Sequence, residues 1–361
     1  MGGLARLEIT SFRNIERCAL TPHPELNVLA GPNASGKTSF LEAIHYLALG
    51  RSFRTSSVKP LIRIGDDETV LFTELSGGTK IGLHRTRKGD QQLKSNGLVQ
   101  RSWECVAREI PIQLLDATSF SLLNEGPRLR RRFLDWGVFH VEQQFLPAWR
   151  RTRKSIMHRN ALLKRAGRMD EEQLAAWEEE LVSGAMEITG SRERYFLRLQ
   201  EAFSRALSTL SEDLGDSISL HFNAGWNREH ELGRLLYENR VTDRNYGVTR
   251  YGPHRADILV KAGNDRAIDV SSRGQQKLIV SALKIAQGKL FFETREQRPI
   301  YLVDDLAAEL DEKNREKVFH LLCSLGAQLF ITCVAVDALE SSLPDTGSRS
   351  LFHVEHGTIT A

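Results

Sequence analysis

Residues 31–38 read Gly31-Pro32-Asn33-Ala34-Ser35-Gly36-Lys37-Thr38, which matches the phosphate-binding pattern G-x-x-x-x-G-K-[ST] at every fixed position. An apolar run over Leu26–Ala30 predicts a buried strand before this loop, and the apolar spacing over Thr38–Leu49 predicts a helix after it. The glycines let backbone amides curl around phosphate oxygens at the positive end of that helix. The pattern therefore predicts that Lys37 reaches the β- and γ-phosphates of a nucleotide and that the Thr38 hydroxyl coordinates Mg²⁺. A chance glycine-rich turn is the alternative, and both flanking elements oppose it.

A pair of acids supports the same chemistry. The apolar strand predicted over Ile300–Val303 ends in Asp304 and Asp305. Two carboxylates at the end of a strand suit a Mg²⁺ ligand followed by a base that activates water. A solvated acidic turn would look the same in isolation, but the phosphate loop elsewhere in the chain favours the catalytic interpretation.

Composition excludes several other classes of protein. The chain has 361 residues, of which 41% are hydrophobic and 26% charged, and a net charge of +3. Its four cysteines lie far apart without a C-x-x-C pair, so neither a zinc site nor a disulfide framework is expected. The N-terminal residues lack a signal-peptide core, and no apolar run approaches the length of a membrane span, roughly 18 residues. A reduced, cytoplasmic location is the expectation.

The two catalytic motifs are far apart in the chain. More than 260 residues separate Lys37 from Asp304, and predicted strands alternate with helices at both ends of the sequence. The middle of the chain is rich in helix formers. We therefore predict three segments: the N-terminal half of a nucleotide-binding core at 1–110, a helical insertion at 111–250, and the C-terminal half of the core at 251–361. Four residues are expected to interrupt the helices of the insertion and so to exclude a long coiled coil: Pro147, Gly167, Gly184 and Gly190.

A third motif lies between the insertion and the two acids. Ser271-Ser272-Arg273-Gly274-Gln275 has a good helix N-cap in Ser272 and leads into a helical pattern. It resembles the S-G-G-Q signature of ABC-type ATPases, which grips the γ-phosphate bound to the opposite subunit. The resemblance implies that Ser272, Arg273, Gly274 and Gln275 contact a nucleotide held by a second copy of the chain.

The order and number of these motifs resemble the RecF proteins of bacterial recombinational repair, which belong with the SMC-like ATPases. The resemblance covers essentially the whole chain and implies an α/β fold, an ABC/SMC-like P-loop ATPase head with an inserted α-helical lobe. Besides the motifs already quoted, it depends on these fragments: Phe12-Arg13-Asn14, Glu42-Ala43-Ile44, Gly50-Arg51-Ser52-Phe53-Arg54, Gly126-Pro127-Arg128, Arg131-Arg132-Phe133-Leu134-Asp135-Trp136, Tyr251-Gly252-Pro253-His254-Arg255-Ala256-Asp257 and Glu309-Leu310-Asp311.

The resemblance assigns roles to individual residues. It implies that Arg13 and Asn14 contact phosphate and that Gln113 senses Mg²⁺ and the attacking water. Asp304 resembles the Mg²⁺-associated acid, and Asp305 takes the place of the usual catalytic glutamate. Gln113 is equally consistent with an ordinary residue at the end of a strand.

One position departs from the ABC pattern. ABC transporters present a histidine at the end of the strand that follows the paired acids, and this chain has Thr332-Cys333 there. The departure removes the usual γ-phosphate contact and implies slow hydrolysis, although Thr332 is equally consistent with a plain strand-end residue.

A basic segment lies inside the insertion. Between Gly126 and Arg168 there are twelve lysines and arginines and two acids. A helical stripe of such residues can follow a phosphate backbone without reading sequence. The residues that cluster are Arg150, Arg151, Arg153 and Lys154, with Arg159 and Lys164 further along. A solvated basic face that pairs with the acidic runs further on is an equally good interpretation of the residues alone.

The resemblance then implies a function. We expect a weak ATPase with ATP and Mg²⁺ as its ligands, acting as an ATP-gated homodimer that clamps DNA at single-strand gaps and duplex junctions. RecO- and RecR-like partners, loading of the recombinase, replication-fork maintenance and the SOS response to DNA damage are implied with it. The alternative is an ABC-type ATPase subunit of a transport or nuclease-linked complex. A co-purifying membrane protein or an appended nuclease domain would favour that alternative.

Overall fold

The computed structural model of the chain describes residues 2–165, 170–340, 342–343 and 349–360. Gly167, one of the predicted helix interruptions, and Arg168, the end of the basic segment, lie outside these residues. The chain divides into two compact units. The sheet unit comprises Met1–Ser121, Ala206–Glu212 and Arg273–Ala361, and the helical unit comprises Leu122–Arg205 and Asp213–Ser272. These boundaries differ from those predicted at 110/111 and 250/251.

The described residues form strands β1–β15 and helices α1–α14. The strands are β1 (Leu4–Phe12), β2 (Ile15–Leu20), β3 (Leu26–Ala30), β4 (Glu68–Leu75), β5 (Lys80–Thr86), β6 (Gln91–Ser95), β7 (Leu98–Gln100), β8 (Ile112–Leu115), β9 (Ile218–Asn223), β10 (Asp257–Ala262), β11 (Asp265–Arg266), β12 (Ile300–Val303), β13 (Gln328–Cys333), β14 (Ser350–Glu355) and β15 (Thr358–Thr360). The helices are α1 (Lys37–Leu49), α2 (Glu104–Glu109), α3 (Ser121–Asn124), α4 (Pro127–Val141), α5 (Phe145–Leu163), α6 (Glu171–Leu210), α7 (Glu212–Ser217), α8 (Leu232–Glu238), α9 (Arg240–Tyr246), α10 (Ala267–Val270), α11 (Arg273–Arg295), α12 (Leu306–Glu309), α13 (Glu312–Ser324) and α14 (Asp337–Glu340).

A mostly parallel sheet positions the site in the sheet unit. Its strand order is β15-β14-β3-β13-β12-β8, and β3, β12 and β13 are buried along their whole length. Continuous apolar strands are typical of parallel sheets covered on both faces. Ala30 pairs with Cys333 and Val303 pairs with Ile331, so β3, β13 and β12 end at the same edge. That register brings the segments after the three strands together.

A second, antiparallel sheet completes this unit. Its strand order is β2-β1-β4-β5-β6-β7. The apolar side chains of α1, including Phe40, Leu41 and Ile44, share one core cluster with residues of both sheets. The predicted helix after the phosphate loop is therefore fixed in the centre of the unit.

The helical unit contains the long helices α4, α5 and most of α6, together with the sheet β11-β10-β9. The predicted interruptions at Gly184 and Gly190 are wrong, because α6 is continuous through both. A Cβ at Gly184 would lie 2.3 Å from the Thr152 hydroxyl of α5, so this glycine allows α5 to approach closely. Pro147 lies in the first turn of α5, where no intrahelical N–H bond is lost.

A buried ionic network holds the helical unit together. Arg159 has a fully buried side chain and donates to Glu178 at 3.0 Å and to Asp243 at 2.7 Å. It also donates to the Thr249 hydroxyl at 3.0 Å and to the Leu236 carbonyl at 3.1 Å. The interpretation of Arg159 as part of the basic stripe that follows DNA is wrong, since its guanidinium is bonded to carboxylates inside the fold.

No helix in the described part of the chain is long and apolar enough to cross a bilayer.

We predict that Arg159→Met destabilises the protein by about 3–5 kcal/mol, because it leaves two buried carboxylates without their common partner. The measurement is the urea midpoint followed by circular dichroism. Arg151→Met is the matched control: its pair with Glu187 is half-exposed on both sides, and the expected change is within about 0.5 kcal/mol. Equal midpoints for the two variants would contradict the structural role of Arg159.

Candidate nucleotide-binding site

The phosphate loop lies between β3 and α1, as predicted. Its first amide, Gly31 N–H, donates to the Cys333 carbonyl at 3.2 Å and so anchors the loop to the end of β13. Gly36 immediately precedes α1 and has a φ of 124°, a conformation that side-chain-bearing residues rarely adopt. The N-terminus of α1 and its unpaired amides therefore face the loop, which is the arrangement that binds phosphate.

Two polar side chains of the loop, those of Lys37 and Ser35, are candidates for contact with phosphate. Lys37 is buried, and its ammonium donates to the carbonyls of Gly31 at 2.7 Å and Pro32 at 2.8 Å. Among the described atoms, the buried Ser35 hydroxyl has no hydrogen-bond partner. A buried unpaired hydroxyl costs about 1–3 kcal/mol, and an incoming phosphate would relieve it. The loop therefore fits a nucleotide polyphosphate.

The loop is braced from two sides. The Asn14 amide donates to the Ser35 carbonyl at 3.1 Å, and the Gly357 amide donates to the same oxygen at 2.7 Å. A Cβ at Gly357 would lie 2.0 Å from the Asn14 carbonyl oxygen, so only glycine fits there. Sequence reasoning missed Gly357, which lies in the turn of the β14–β15 hairpin; its only sequence signal is a glycine in a turn.

The predicted acid pair meets the loop at one edge of the sheet. The Thr38 hydroxyl donates to Asp304 Oδ1 at 3.1 Å, and the Thr332 hydroxyl donates to the same oxygen at 2.8 Å. Burial raises the pKa of the Asp304 carboxyl, while the hydroxyls of Thr332 and Thr38 oppose that rise. Thr38 and Asp304 offer two hard oxygen ligands, which suit Mg²⁺ with phosphate and water in its remaining positions.

Thr332 has a different role from the histidine it replaces. Its side chain is fully buried, and its hydroxyl accepts from the Asp305 amide at 2.9 Å while it donates to Asp304. The backbone at Asp305 has a φ of 50°, an uncommon value for a residue with a side chain. The Thr332 hydroxyl is thus committed to fixing the turn that carries both acids.

Gln113 is not brought to the predicted metal ligands. It is buried on β8, where its amide donates to Gln287 at 2.7 Å and its carbonyl accepts from Lys284 at 3.3 Å. Both partners lie on α11, so the side chain points to that helix. The predicted contact with Mg²⁺ has no support in this geometry, because strand alternation directs residue 113 to the α11 face of the sheet.

A cavity of about 700 Å³ lies beside the loop. Arg13 and Asn14 line it, as predicted, and Arg13 is held by a bidentate bond from its Nε and Nη2 to the buried Glu42. Sequence reasoning named no role for several other lining residues: Arg54, Lys59, Pro60, Ile62, Ile64 and Arg87. The arginines and lysine suit an anion, and the apolar members form a surface on which a flat ring could pack.

The signature residues begin α11. Ser272, Arg273, Gly274 and Gln275 are exposed, and none of them is among the described residues that line the cavity. Asp311, which ends the fragment Glu309-Leu310-Asp311, is the N-cap of α13 and accepts from the Asn314 amide at 3.0 Å.

Comparison with known protein families places the chain in a defined group. Residues 3–360 match the family model for the RecF/RecN/SMC N-terminal domain. The DNA replication and repair protein RecF of Pseudomonas putida strain GB-1 is 43% identical over 99% of this chain and 98% of its own length. The RecF protein of Azotobacter vinelandii strain DJ is 44% identical over the same shares.

Solved structures agree with the sequence comparison. The ATP-bound recombination mediator RecF of the RecFOR pathway superposes with a TM-score of 0.85 at 25% identity, over 99% of this chain and 97% of that chain. The Smc head domain of Pyrococcus furiosus superposes with a TM-score of 0.59 at 16% identity, over 100% of this chain and 96% of that chain, which is a likeness of fold. The predicted ABC/SMC-like head fold is confirmed.

We predict that Thr332→Val slows nucleotide hydrolysis about ten-fold, because the Asp305 amide and the Asp304 carboxylate each lose a partner. Since the Thr332 hydroxyl lowers the pKa of Asp304, its removal raises that pKa further. The acid limb of the hydrolysis rate against pH should therefore move to higher pH. Thr332→Ser keeps the hydroxyl and should keep the acid limb in place. Identical acid limbs in the valine variant and the unaltered protein would contradict this role.

Proposed function

The chain belongs to the RecF family of ABC/SMC-type ATPases, and we propose that it is an ATP-gated DNA-binding dimer of recombinational repair. The observation that supports this most directly is the 3.1 Å hydrogen bond from Thr38 to Asp304. It joins the phosphate loop to the paired acids, which supports binding and hydrolysis of a nucleotide at one edge of the sheet. Relatives at 43% identity carry the name DNA replication and repair protein, which supports the choice of process.

The proposed chemistry assigns one role to each residue. The loop amides and Lys37 hold the phosphates, and the Lys37 ammonium leaves the carbonyls of Gly31 and Pro32 to do so. Thr38 and Asp304 hold Mg²⁺, which neutralises developing charge on the phosphates. Asp305 accepts a proton from the attacking water. The apolar surface of Pro60, Ile62 and Ile64 packs against the base.

Slow hydrolysis follows from the same geometry. An ABC transporter places a histidine against the γ-phosphate, and here Thr332 takes that place with a hydroxyl that is already bonded on both sides. Asp305 is also one methylene shorter than a glutamate. The nucleotide would therefore act as a slow switch between two states of the protein.

The switch would be a homodimer. The signature residues Ser272, Arg273 and Gly274 are exposed and start a long helix, α11, whose N-terminal amides suit a phosphate held by a second copy. Arg13 and Asn14 would complete the pocket from within the same chain. Binding of ATP by both copies closes the dimer, and hydrolysis opens it.

DNA would be held by the exposed face of α5. Arg150, Arg151, Arg153 and Lys154 are all exposed, although Arg151 is bonded to Glu187 at 2.5 Å. Their spacing can follow a phosphate backbone without reading sequence. In a closed dimer two such faces hold one DNA molecule.

We place this clamp at single-strand gaps and duplex junctions in the cytoplasm. RecO- and RecR-like proteins are its proposed partners in loading the recombinase at damaged replication forks and in the SOS response. The similar ATP-bound structure is described as a recombination mediator of the RecFOR pathway, which supports these partners.

The dimer can be tested with two opposing variants. Ser272→Arg should abolish ATP-dependent dimers, because bulk and charge would enter the site of the partner's γ-phosphate, whereas ATP affinity of the monomer stays nearly unchanged. Asp305→Asn should accumulate ATP-bound dimers, because hydrolysis loses its base. The measurement is the mass in solution by light scattering with ATP and Mg²⁺.

Ser183→Arg, on the exposed surface of α6, is the matched control and should dimerise normally. Dimers of the Ser272 variant at ordinary ATP concentrations would rule out a signature that acts on the opposite subunit.

The DNA face can be tested by a salt titration. Neutralising Arg150, Arg151, Arg153 and Lys154 together should weaken binding equally for different sequences and flatten the salt dependence by up to about one unit per lost contact. The effect should be larger with ATP, because a second face then binds the same DNA molecule intramolecularly.

The control for the salt titration neutralises the same number of exposed cations in the sheet unit: Arg17, Lys88, Lys94 and Arg101. Identical salt slopes for the α5 variant and the unaltered protein would mean that this face is merely solvated.

A further inference from the structure

A cavity of about 290 Å³ lies within the helical unit, and none of its described lining residues belongs to the phosphate loop. Helices α4, α5 and α6 and the turn at Pro253–Arg255 enclose it. Neither the chemistry of nucleotide hydrolysis nor the exposed phosphate-binding face of α5 requires such a cavity.

Positive charge surrounds the cavity. Five of its lining residues are arginines, and the only carboxylate among the described lining residues is Asp135. Asp135 is already engaged, since Arg192 donates to both of its oxygens at 2.8 and 3.0 Å. The exposed Arg128 and Arg132 have no ion pair among the described residues. The cavity therefore has an excess of guanidinium groups.

The positive charge around the cavity acts on Arg131, one of its lining residues. Arg131 donates to the Ala256 carbonyl at 2.7 Å. Burial lowers the pKa of its guanidinium, and the neighbouring charges of Arg192 and Arg255 lower it further, against the opposite effect of Asp257 and Asp135. An anion in the cavity would relieve this repulsion.

Part of the cavity wall is apolar. Ile156, Ile188 and Pro253 line it, and Ile188 is almost completely buried. Trp149 lies beside them, with the Arg153 guanidinium 5.3 Å from the centre of its ring. An indole with a guanidinium over it is a surface on which planar aromatic groups stack.

Two lining residues carry buried polar atoms that have no hydrogen-bond partner among the described residues. They are the Thr152 hydroxyl and His254 Nδ1. His254 Nε2 lies 2.8 Å from the Thr249 carbonyl, which can only accept, so Nε2 carries the proton and Nδ1 is an acceptor. Burial lowers the pKa of His254 to about 4, so the ring is neutral at pH 7. The cavity thus offers an acceptor to a ligand with N–H groups.

We propose that this cavity binds one unpaired nucleotide of a DNA strand, with a phosphate on Arg128 and Arg132 and the base against Trp149 and Ile156. A nucleotide combines the three features that the cavity requires: an anion that suits guanidinium forks, a planar ring, and N–H donors on that ring. The carboxylates of an acidic peptide satisfy only the first. This inference rests on the proposed DNA-binding function and gives it a physical means of telling a gap from a duplex, because bases within a duplex are paired and stacked.

The experiment compares two charge-matched double variants. Arg128→Gln with Arg132→Gln removes two guanidiniums of the cavity, and Arg150→Gln with Lys154→Gln removes two exposed charges of α5 that do not line it. Binding is measured by fluorescence anisotropy, at one salt concentration, to a thymidine strand of about 20 nucleotides and to a duplex of the same length. The cavity variant should lose about ten-fold or more affinity for the single strand and at most about three-fold for the duplex, whereas the control should weaken both equally.

A second variant tests the base itself. Trp149→Leu keeps every charge and should remove the preference of the unaltered protein for the thymidine strand over an abasic strand with the same phosphates. Circular dichroism checks that the variant is folded. A preference that persists in this variant would overturn the assignment of the base to this wall.

Other outcomes would assign the cavity elsewhere. Equal losses on strand and duplex in the cavity variant would make it one more phosphate contact, and the proposed DNA function would still stand. Both proposals would be wrong if neither double variant lost affinity for DNA. Thymidine monophosphate that binds more tightly than the strand would make the ligand a free nucleotide. An acidic peptide that binds the unaltered protein but not the cavity variant, without competing with DNA, would make it a protein-docking pocket.

Discussion

The site depends on the two hydrogen bonds that converge on Asp304 Oδ1. Thr38 reaches it from the phosphate loop and Thr332 reaches it from the end of the neighbouring strand. Thr38 is 266 positions from Asp304 in the chain and Thr332 is 28 positions from it, and they meet because β3, β13 and β12 run parallel with their ends in register. A slip of one residue between two of these strands would turn the polar side chains to the opposite face and separate the loop from its acid.

The basic segment of the sequence has two physically different uses. Arg130 and Arg159 are buried and bonded to carboxylates, so removing either would break buried ion pairs. Arg150 and Arg153 are exposed on α5, where a charge costs little and remains accessible to a polyanion. The division between the two uses is the reason that a count of arginines does not measure a DNA-binding surface. The same division applies to the lining of the proposed nucleotide cavity, where Arg192 is paired with Asp135 and Arg128 is exposed.

Part of the site could be predicted because the residues that carry its chemistry are consecutive in the sequence. The phosphate loop and the pair Asp304-Asp305 each follow an apolar strand, and the positive φ at position 36 favours glycine there. Gln113 could not be assigned in this way. An isolated glutamine in a buried strand has no local signal for its partner, and only the packing of α11 against β8 directs it to Gln287 and Lys284.

The sequence by itself determined the loop, the acids and the helical character of the insertion, because these depend on periodicity and on short-range spacing, whereas the fold family was implied by the resemblance that the order of the motifs carries. The tertiary structure decided what depends on contacts between distant segments: the brace of Gly357 against the loop, the commitment of Thr332 to both acids, and the uninterrupted path of α6 past Gly184. A glycine at 184 looks like a helix breaker until the Thr152 hydroxyl of α5 is seen to occupy the space where its side chain would be. Whether such a residue breaks or permits structure is decided by a neighbour that the local sequence does not contain.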